Sequence, residues 1–227
     1  MFEFFFTQTT NSWEETVYVP TPAGYLLLGV LLALAVGLLF FFLKRKEKRL
    51  TALQITFCAL SMALATVLSV LKFFSLPFGG SITLLSMLFV CLPGYWYGAR
   101  VGITAGVAYG LLQFVLEPVF YSLPQMLIDY PLAFGALGLC GLLSRKKHGL
   151  PLGYLVGVLG RFVFAVLSGV LFFAAYAPEG MPALLYSVAY NGSYLGLEAA
   201  ITLVILLLPP VGAAMDRVKT LARRTPA

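Results

Sequence analysis

Apolar residues in this chain fall in long, almost unbroken blocks, without the three-to-four-residue spacing that a soluble helix uses to bury one face. With about 20 residues needed to cross a bilayer as a helix, the blocks predict seven spans, at 24–43, 52–73, 82–98, 99–116, 123–143, 150–175 and 184–208. Strands of a membrane barrel would alternate apolar and polar residues over about 10 positions. No block does so, and the class is an all-α polytopic membrane protein.

Charge orients the spans. Of the chain's bases, thirteen follow alternate spans on one side: Lys44 to Arg49, Arg100, Arg145 to Lys147, and Arg217, Lys219, Arg223 and Arg224. The other side carries Glu3, Glu14, Glu15, Glu117 and Glu179, with Lys72 its only base. By the positive-inside rule the N-terminus lies outside and the C-terminus in the cytoplasm. The net charge of +6 therefore describes topology. It implies no nucleic acid, because the basic runs are short, juxtamembrane and free of interleaved aromatic readers. The start Met1-Phe2-Glu3-Phe4 lacks the positive region of a cleaved signal, so the first span reads as a stop-transfer anchor. Cys58, Cys91 and Cys140 are far apart and inside spans, which suits small buried hydrophobes and indicates neither a metal nor a disulfide.

Organisation changes at residue 50. Residues 1–50 supply an outer segment, a Leu- and Phe-rich helix without central polar side chains, and a basic loop. Residues 51–212 form a six-helix core richer in Gly, Ser and Tyr, and 213–227 a basic tail. Gly102, Gly106 and Gly110, and separately Gly153 and Gly157, recur at four-residue spacing and predict internal helix-packing seams. Ala59 and Ala63 repeat the spacing on the first core helix, where a smooth face suits either internal packing or another protein.

Three ionisable groups lie well inside the spans: Asp129, Arg161 and Glu198. A charged carboxylate at membrane depth costs on the order of 3 kcal/mol and is kept with a partner or a ligand. Arg161 and Glu198 sit near mid-membrane, where mutual pairing is the structural alternative. Asp129 lies in the outer third, which makes it the better ligand candidate. Gln125 and Tyr130 flank it, Tyr109, Glu117 and Tyr121 approach the same level, and Tyr186 and Asn191 enter from outside on the last span. A buried amide such as Asn191 needs hydrogen-bond partners. Tyr18, Tyr95, Trp96 and Tyr97 fit an interfacial belt instead. A carboxylate, an amide and several rings would suit a flat, nitrogen-rich cation. His148, the single histidine, sits beside Arg145, Lys146 and Lys147 in a loop. No Ser-His or aspartyl pair supports an enzyme, and no phosphate loop supports an ATPase.

From about residue 52 to 210 the chain resembles the thiamine-specific S component of energy-coupling factor (ECF) transporters. The resemblance rests on Gly79-Gly80-Ser81-Ile82-Thr83, Gln125 to Tyr130, Arg161 to Gly169 followed by Phe172-Phe173, Ala177 to Pro182, and Tyr186-Ser187 with Tyr190-Asn191. It implies a six-helix subunit of the bacterial plasma membrane that captures extracellular thiamine without a cofactor. Such a subunit docks on a transmembrane T component carrying two cytoplasmic ATPases, through the small-residue face holding Ala59 and Ala63, and topples to release its cargo. It also implies thiamine contacts at Asp129, Tyr130, Gly169, Phe173, Tyr186 and Asn191. Two positions depart from the pattern: Ala165 stands where a histidine is common, and Phe173 where tryptophan is frequent, so one ligand hydrogen bond is missing or replaced. A thiamine precursor or related vitamin remains an alternative ligand. An ion-coupled carrier is the alternative mechanism, although no internal repeat supports it.

Overall fold

The computed structural model describes residues 4, 6–10, 16–24, 26, 30, 50–76, 80–178 and 180–224. The first expected span, at 24–43, falls largely outside them, as do Gly79 and Glu179. Strands β1 (Phe6–Thr10) and β2 (Thr16–Pro20) pair antiparallel. The core then runs α1 (Ala52–Val70), β3 (Lys72–Ser75), β4 (Ser81–Thr83), α2 (Ser86–Tyr97), α3 (Ala99–Leu116), α4 (Leu123–Leu143), α5 (Gly149–Phe172), α6 (Ala183–Leu207) and α7 (Pro209–Ala222). Five of these, α1 and α3 to α6, are long and apolar enough to cross a membrane.

Element ends differ from the hydrophobic blocks where polar side chains intervene. Thr51 and Gln54 form a reciprocal capping box that starts α1. That helix stops at Val70, short of the expected 73, because the chain turns extended and β3 pairs antiparallel with β4. The block at 82–98 becomes a helix of only 12 residues, about 18 Å long. Its first residues are drawn into β4, and its N-terminus is closed by a carboxylate from α6: Glu198 accepts from Thr83 Oγ1 at 2.6 Å, Ser86 Oγ at 3.0 Å and the Met87 amide at 3.1 Å. Leu85, the residue at the cap position, offers no side-chain acceptor of its own. A buried negative charge at a helix N-terminus satisfies free amides and opposes the positive end of the dipole. The block at 150–175 ends as helix at Phe172, followed by a tight turn over Ala174–Tyr176.

Helix α4 is the axis of the bundle, and its winding changes along its length. Pro131 has no amide to donate, and the turn over Ile128–Leu132 widens so that the Ala133 amide reaches Ile128 O, five residues back. Both glycine seams press on this helix. A Cβ at Gly106 would meet Phe134 O and one at Gly110 would meet Tyr130 O, while Gly153 and Gly157 lie against the carbonyls of Cys140 and Leu137. These are internal seams, as the spacing suggested. Cys91 and Cys140 are buried in the same core and unbridged.

Helix α1 packs on α2 and leaves most of its surface uncovered, Ala59 and Ala63 included. Helix α7 crosses the ends of α1, α2 and α6. It is fastened by Lys219 Nζ to Ser144 O at 2.6 Å and by Arg223 Nε to Trp96 O at 2.6 Å. At the opposite end of the bundle, β2 rests against the Ala174–Tyr176 turn and α5.

Candidate functional site

A cavity of about 280 Å³ opens between α3, α4, α5 and α6 at the end of the bundle covered by the β3–β4 hairpin. Asp129, Tyr130, Gly169, Phe173, Tyr186, Asn191 and Tyr109 all border it. Gln125 does not. It is fully buried behind the wall, where its Nε2 donates to Asp129 Oδ2 at 2.6 Å and to Val119 O at 3.2 Å, and its Oε1 accepts from the Tyr121 amide. Gln125 thus fixes the carboxylate and the loop leaving α3 through one side chain.

Asp129 sits on the widened turn of α4, partly buried, with the cavity before it. Only Oδ2 is engaged by a hydrogen bond among the described residues. Ser168, 1% exposed, borders the same space near Asp129 with a hydroxyl that makes no well-formed hydrogen bond among the described residues. Unsatisfied polar atoms around a cavity mark where a polar guest would be held.

Arg161 also lines the cavity, and the expected pairing with the acids does not form. Its guanidinium carbon lies 4.1 Å from the centre of the Phe134 ring, and among the described residues it makes no ion pair. Glu198 is instead consumed by the start of α2, as described above. Two hydroxyls and an amide, rather than the arginine, are the partners of this carboxylate, which also borders the cavity.

Asn191 finds its partners within the protein. Nδ2 donates to Ser187 O at 2.9 Å and to Ala165 O at 3.3 Å, while Oδ1 accepts from Tyr194 Oη at 2.9 Å. The amide therefore reaches the cavity already oriented. Tyr130 is similarly engaged: its hydroxyl donates to Glu117 O and accepts from the Val119 amide, both at 2.8 Å, so its ring is the part free to meet a guest. Gly169 lies where α5 meets α6, and a Cβ there would strike Ser187 Oγ.

Aromatic rings finish the walls. Phe173 stands edge-on to Tyr121 with centroids 5.1 Å apart and stacks on Tyr176 at 6.2 Å. Tyr186 stacks on Tyr190 at 5.9 Å, and Tyr190 meets Tyr194 edge-on at 5.8 Å. The Tyr186, Tyr190 and Tyr194 stripe has a four-residue period legible on a helix face, yet Tyr190 and Tyr194 were not singled out as site residues. Over the mouth, the Gly80 amide donates to Tyr190 Oη at 2.9 Å, and Lys72 and Glu117 form a salt bridge at 2.7 Å.

Comparison with known proteins gives one consistent answer. A family model described as thiamine transporter protein matches residues 55–215. The thiamine transporter ThiT of Bacillus subtilis (strain 168) is 32% identical over 166 residues, covering 66% of this chain and 86% of that protein. ThiT of Lacticaseibacillus paracasei is 26% identical over 142 residues, 55% of this chain and 67% of that protein. A solved structure of ThiT from Listeria monocytogenes shares the fold, with a TM-score of 0.60 at 23% identity, covering 74% of this chain and 96% of that one.

Proposed function

The chain belongs to the thiamine transporter protein family, and from that footing we propose that it captures extracellular thiamine in the cavity beside Asp129 and delivers it to the cell as the S component of an ECF-type transporter. The observation that carries this reading is the state of Asp129: a carboxylate facing a void, braced by a neutral amide and not neutralised by the nearby guanidinium.

Charge balance around the cavity supports a monocation. Among the described residues of the lining, Lys72 and Arg161 face Glu117, Asp129 and Glu198, so two bases stand against three acids, and with every one of these carboxylates ionised they leave one net negative charge. Thiamine brings a single positive charge on its thiazolium ring. In the proposed pose, the free oxygen of Asp129 accepts from the aminopyrimidine edge, a charge-assisted pairing stronger than a neutral one. The aromatic faces of Phe173, Tyr186 and Tyr190 lie against the cationic ring, a contact worth about 2 kcal/mol when desolvated. Tyr109, Tyr130, Gly169 and Asn191 shape the remaining wall, with Gln125 acting through Asp129. Ala165 leaves room where a histidine would stand, and Ser168, with its unused hydroxyl, is placed to supply the replacement hydrogen bond.

Energy would come from elsewhere. In this reading a transmembrane T component meets α1 over the exposed Ala59 and Ala63, and two ATPases act from the cytoplasm. The chain is a multi-pass membrane protein, here placed in a bacterial plasma membrane with the cavity outside and α7 in the cytoplasm. In this reading residues 1–50 are an added anchor and 51–212 the binding domain, while the basic stretch expected as a tail at 213–227 is folded as far as Ala222 into α7.

The test is direct. Detergent-purified protein alone should bind thiamine and show quenching of its aromatic fluorescence, and a panel of thiamine, its phosphates and its pyrimidine precursor should rank thiamine first. Uptake into vesicles should require the ATPase module and ATP. Uptake by this chain alone that follows a proton or sodium gradient would replace the proposal with an ion-coupled carrier.

A further inference from the structure

A second cavity, of about 620 Å³, opens at the other end of the same helices, between the loop joining α4 to α5 and helix α7. Six basic side chains from two distant stretches of sequence border it: Arg145, Lys146, Lys147 and His148 from the loop, Lys219 and Arg223 from α7. The positive-inside rule explains why bases lie on this side. It does not explain why separate basic segments fold around one hollow.

The arrangement is held in place. Lys219 Nζ sits 3.7 Å over the centre of the Tyr95 ring and donates to Ser144 O, and Arg223 is fastened to Trp96 O. Neither has an anion to balance it in an ion pair among the described residues. Asp216 is the single acid of the lining among the described residues, and it accepts from Tyr95 Oη at 3.1 Å. Burial and the adjacent Arg223 push the Lys219 ammonium below the ordinary lysine range, against a smaller opposing effect of Asp216. The four loop residues are exposed. Gly149, Leu150 and Pro151, the first turn of the 24-residue α5, line the same space, and His148 at the cap position offers that turn no side-chain acceptor. The positive end of a long helix dipole is thereby added to the bases. Leu206 and Met215 give the hollow an apolar side.

We propose that this basic cavity is a binding site for a phosphate-bearing anion, drawn either from the headgroup of an anionic phospholipid or from a soluble phosphate ester. Its position at the helix ends, with bases above apolar side chains, suits a headgroup whose acyl chains continue along the bundle. The site is independent of what the first cavity holds.

Native mass spectrometry of the delipidated full chain, offered phosphatidylglycerol and phosphatidylcholine in equal amounts, separates the outcomes. A second arm measures the melting temperature with inorganic diphosphate. Arg145→Gln with Lys146→Gln and Lys147→Gln removes three exposed bases that make no side-chain hydrogen bond, and Lys219→Gln is the second variant. Lys44→Gln with Lys46→Gln and Lys48→Gln removes the same charge from a separate basic run of the sequence. Circular dichroism and gel filtration check folding. Each juxtamembrane base contributes about 1 kcal/mol toward anionic lipid, so the wild type should prefer phosphatidylglycerol by about fivefold or more. The site variants should lose that preference, and the Lys44, Lys46 and Lys48 variant should keep it. Stabilisation by diphosphate that the site variants alone lose would assign a soluble ligand to the same cavity. Equal losses in both triple variants, or no preference in the wild type in either arm, would overturn the proposal.

Discussion

Gln125 and Asp129 stand one helical turn apart on α4, and the amide of the first holds Oδ2 of the second at 2.6 Å. This pair presents a charged oxygen to a cavity without neutralising it. Asp129→Asn keeps the shape and removes the charge. A hydrogen bond to a charged group is worth about 1.5 to 3 kcal/mol, so thiamine affinity should fall about 10- to 100-fold by fluorescence titration. Gln125→Ala should cost about 1 kcal/mol, roughly a fivefold loss of affinity. An unchanged affinity in both variants would move the ligand away from this wall.

Glu198 offers the contrasting case. Glu198→Gln disturbs the three donors that the carboxylate joins at the start of α2. Unfolding should become easier by about 1 to 3 kcal/mol, read as a lowered melting temperature, with thiamine affinity changed far less than by Asp129→Asn. A loss of binding equal to that of Asp129→Asn would make Glu198 a ligand contact.

Gly169 tests the packing at the cavity wall. In Gly169→Ala the new methyl would occupy the place of Ser187 Oγ, which donates to Val166 O at 2.9 Å and accepts from Asn191 Nδ2 at 3.2 Å. Overpacking of this kind costs about 1 to 3 kcal/mol, and displacing Asn191 should weaken thiamine binding as well. Adding Ser187→Ala should recover part of the stability. No recovery would mean that the obstruction lies elsewhere.

The surface of α1 separates capture from delivery. Ala59→Phe with Ala63→Phe places two rings at exposed positions of α1 that do not line the cavity. Binding to the purified chain should be unaltered, while vesicle uptake with the full ATPase module should drop to a small fraction. Undiminished uptake would remove this face from the proposed docking surface.

Long hydrophobic blocks made the five crossing helices legible, because lipid demands uninterrupted apolar length and internal backbone pairing. Helix α2 was misjudged at its start for the same reason: Ser81 to Leu85 is apolar enough to extend a span. The extended backbone of Ser81 to Thr83 depends on β3 and on Glu198, 112 residues away from Ser86 in the chain. Within the site, helical spacing placed Tyr186 and Asn191 together, and Asp129 among aromatic rings. It could not choose partners across helices. Pairing of Arg161 with an acid was left open as the structural alternative and the guanidinium lies on Phe134, while Gln125 was expected in the wall and stands behind it. Asn191 was expected to need hydrogen-bond partners, and Tyr194 and two carbonyls supply them. Periodicity assigns a side chain to a face, whereas the identity of its neighbour follows from helix rotation and depth.

The glycine contacts along α4 have a mechanical meaning. With Gly106 and Gly110 of α3 on one flank and Gly153 and Gly157 of α5 on the other, main chain rests on main chain, and no long side chains lie between to act as bearings. Three helices joined this way resist sliding past one another, since any shift drives carbonyl oxygens into Cα atoms. Under the proposed function, cargo exchange would then be left to the thin covering at the mouth or to a tilt of the whole slab, with the cavity beside Asp129 carried along undistorted.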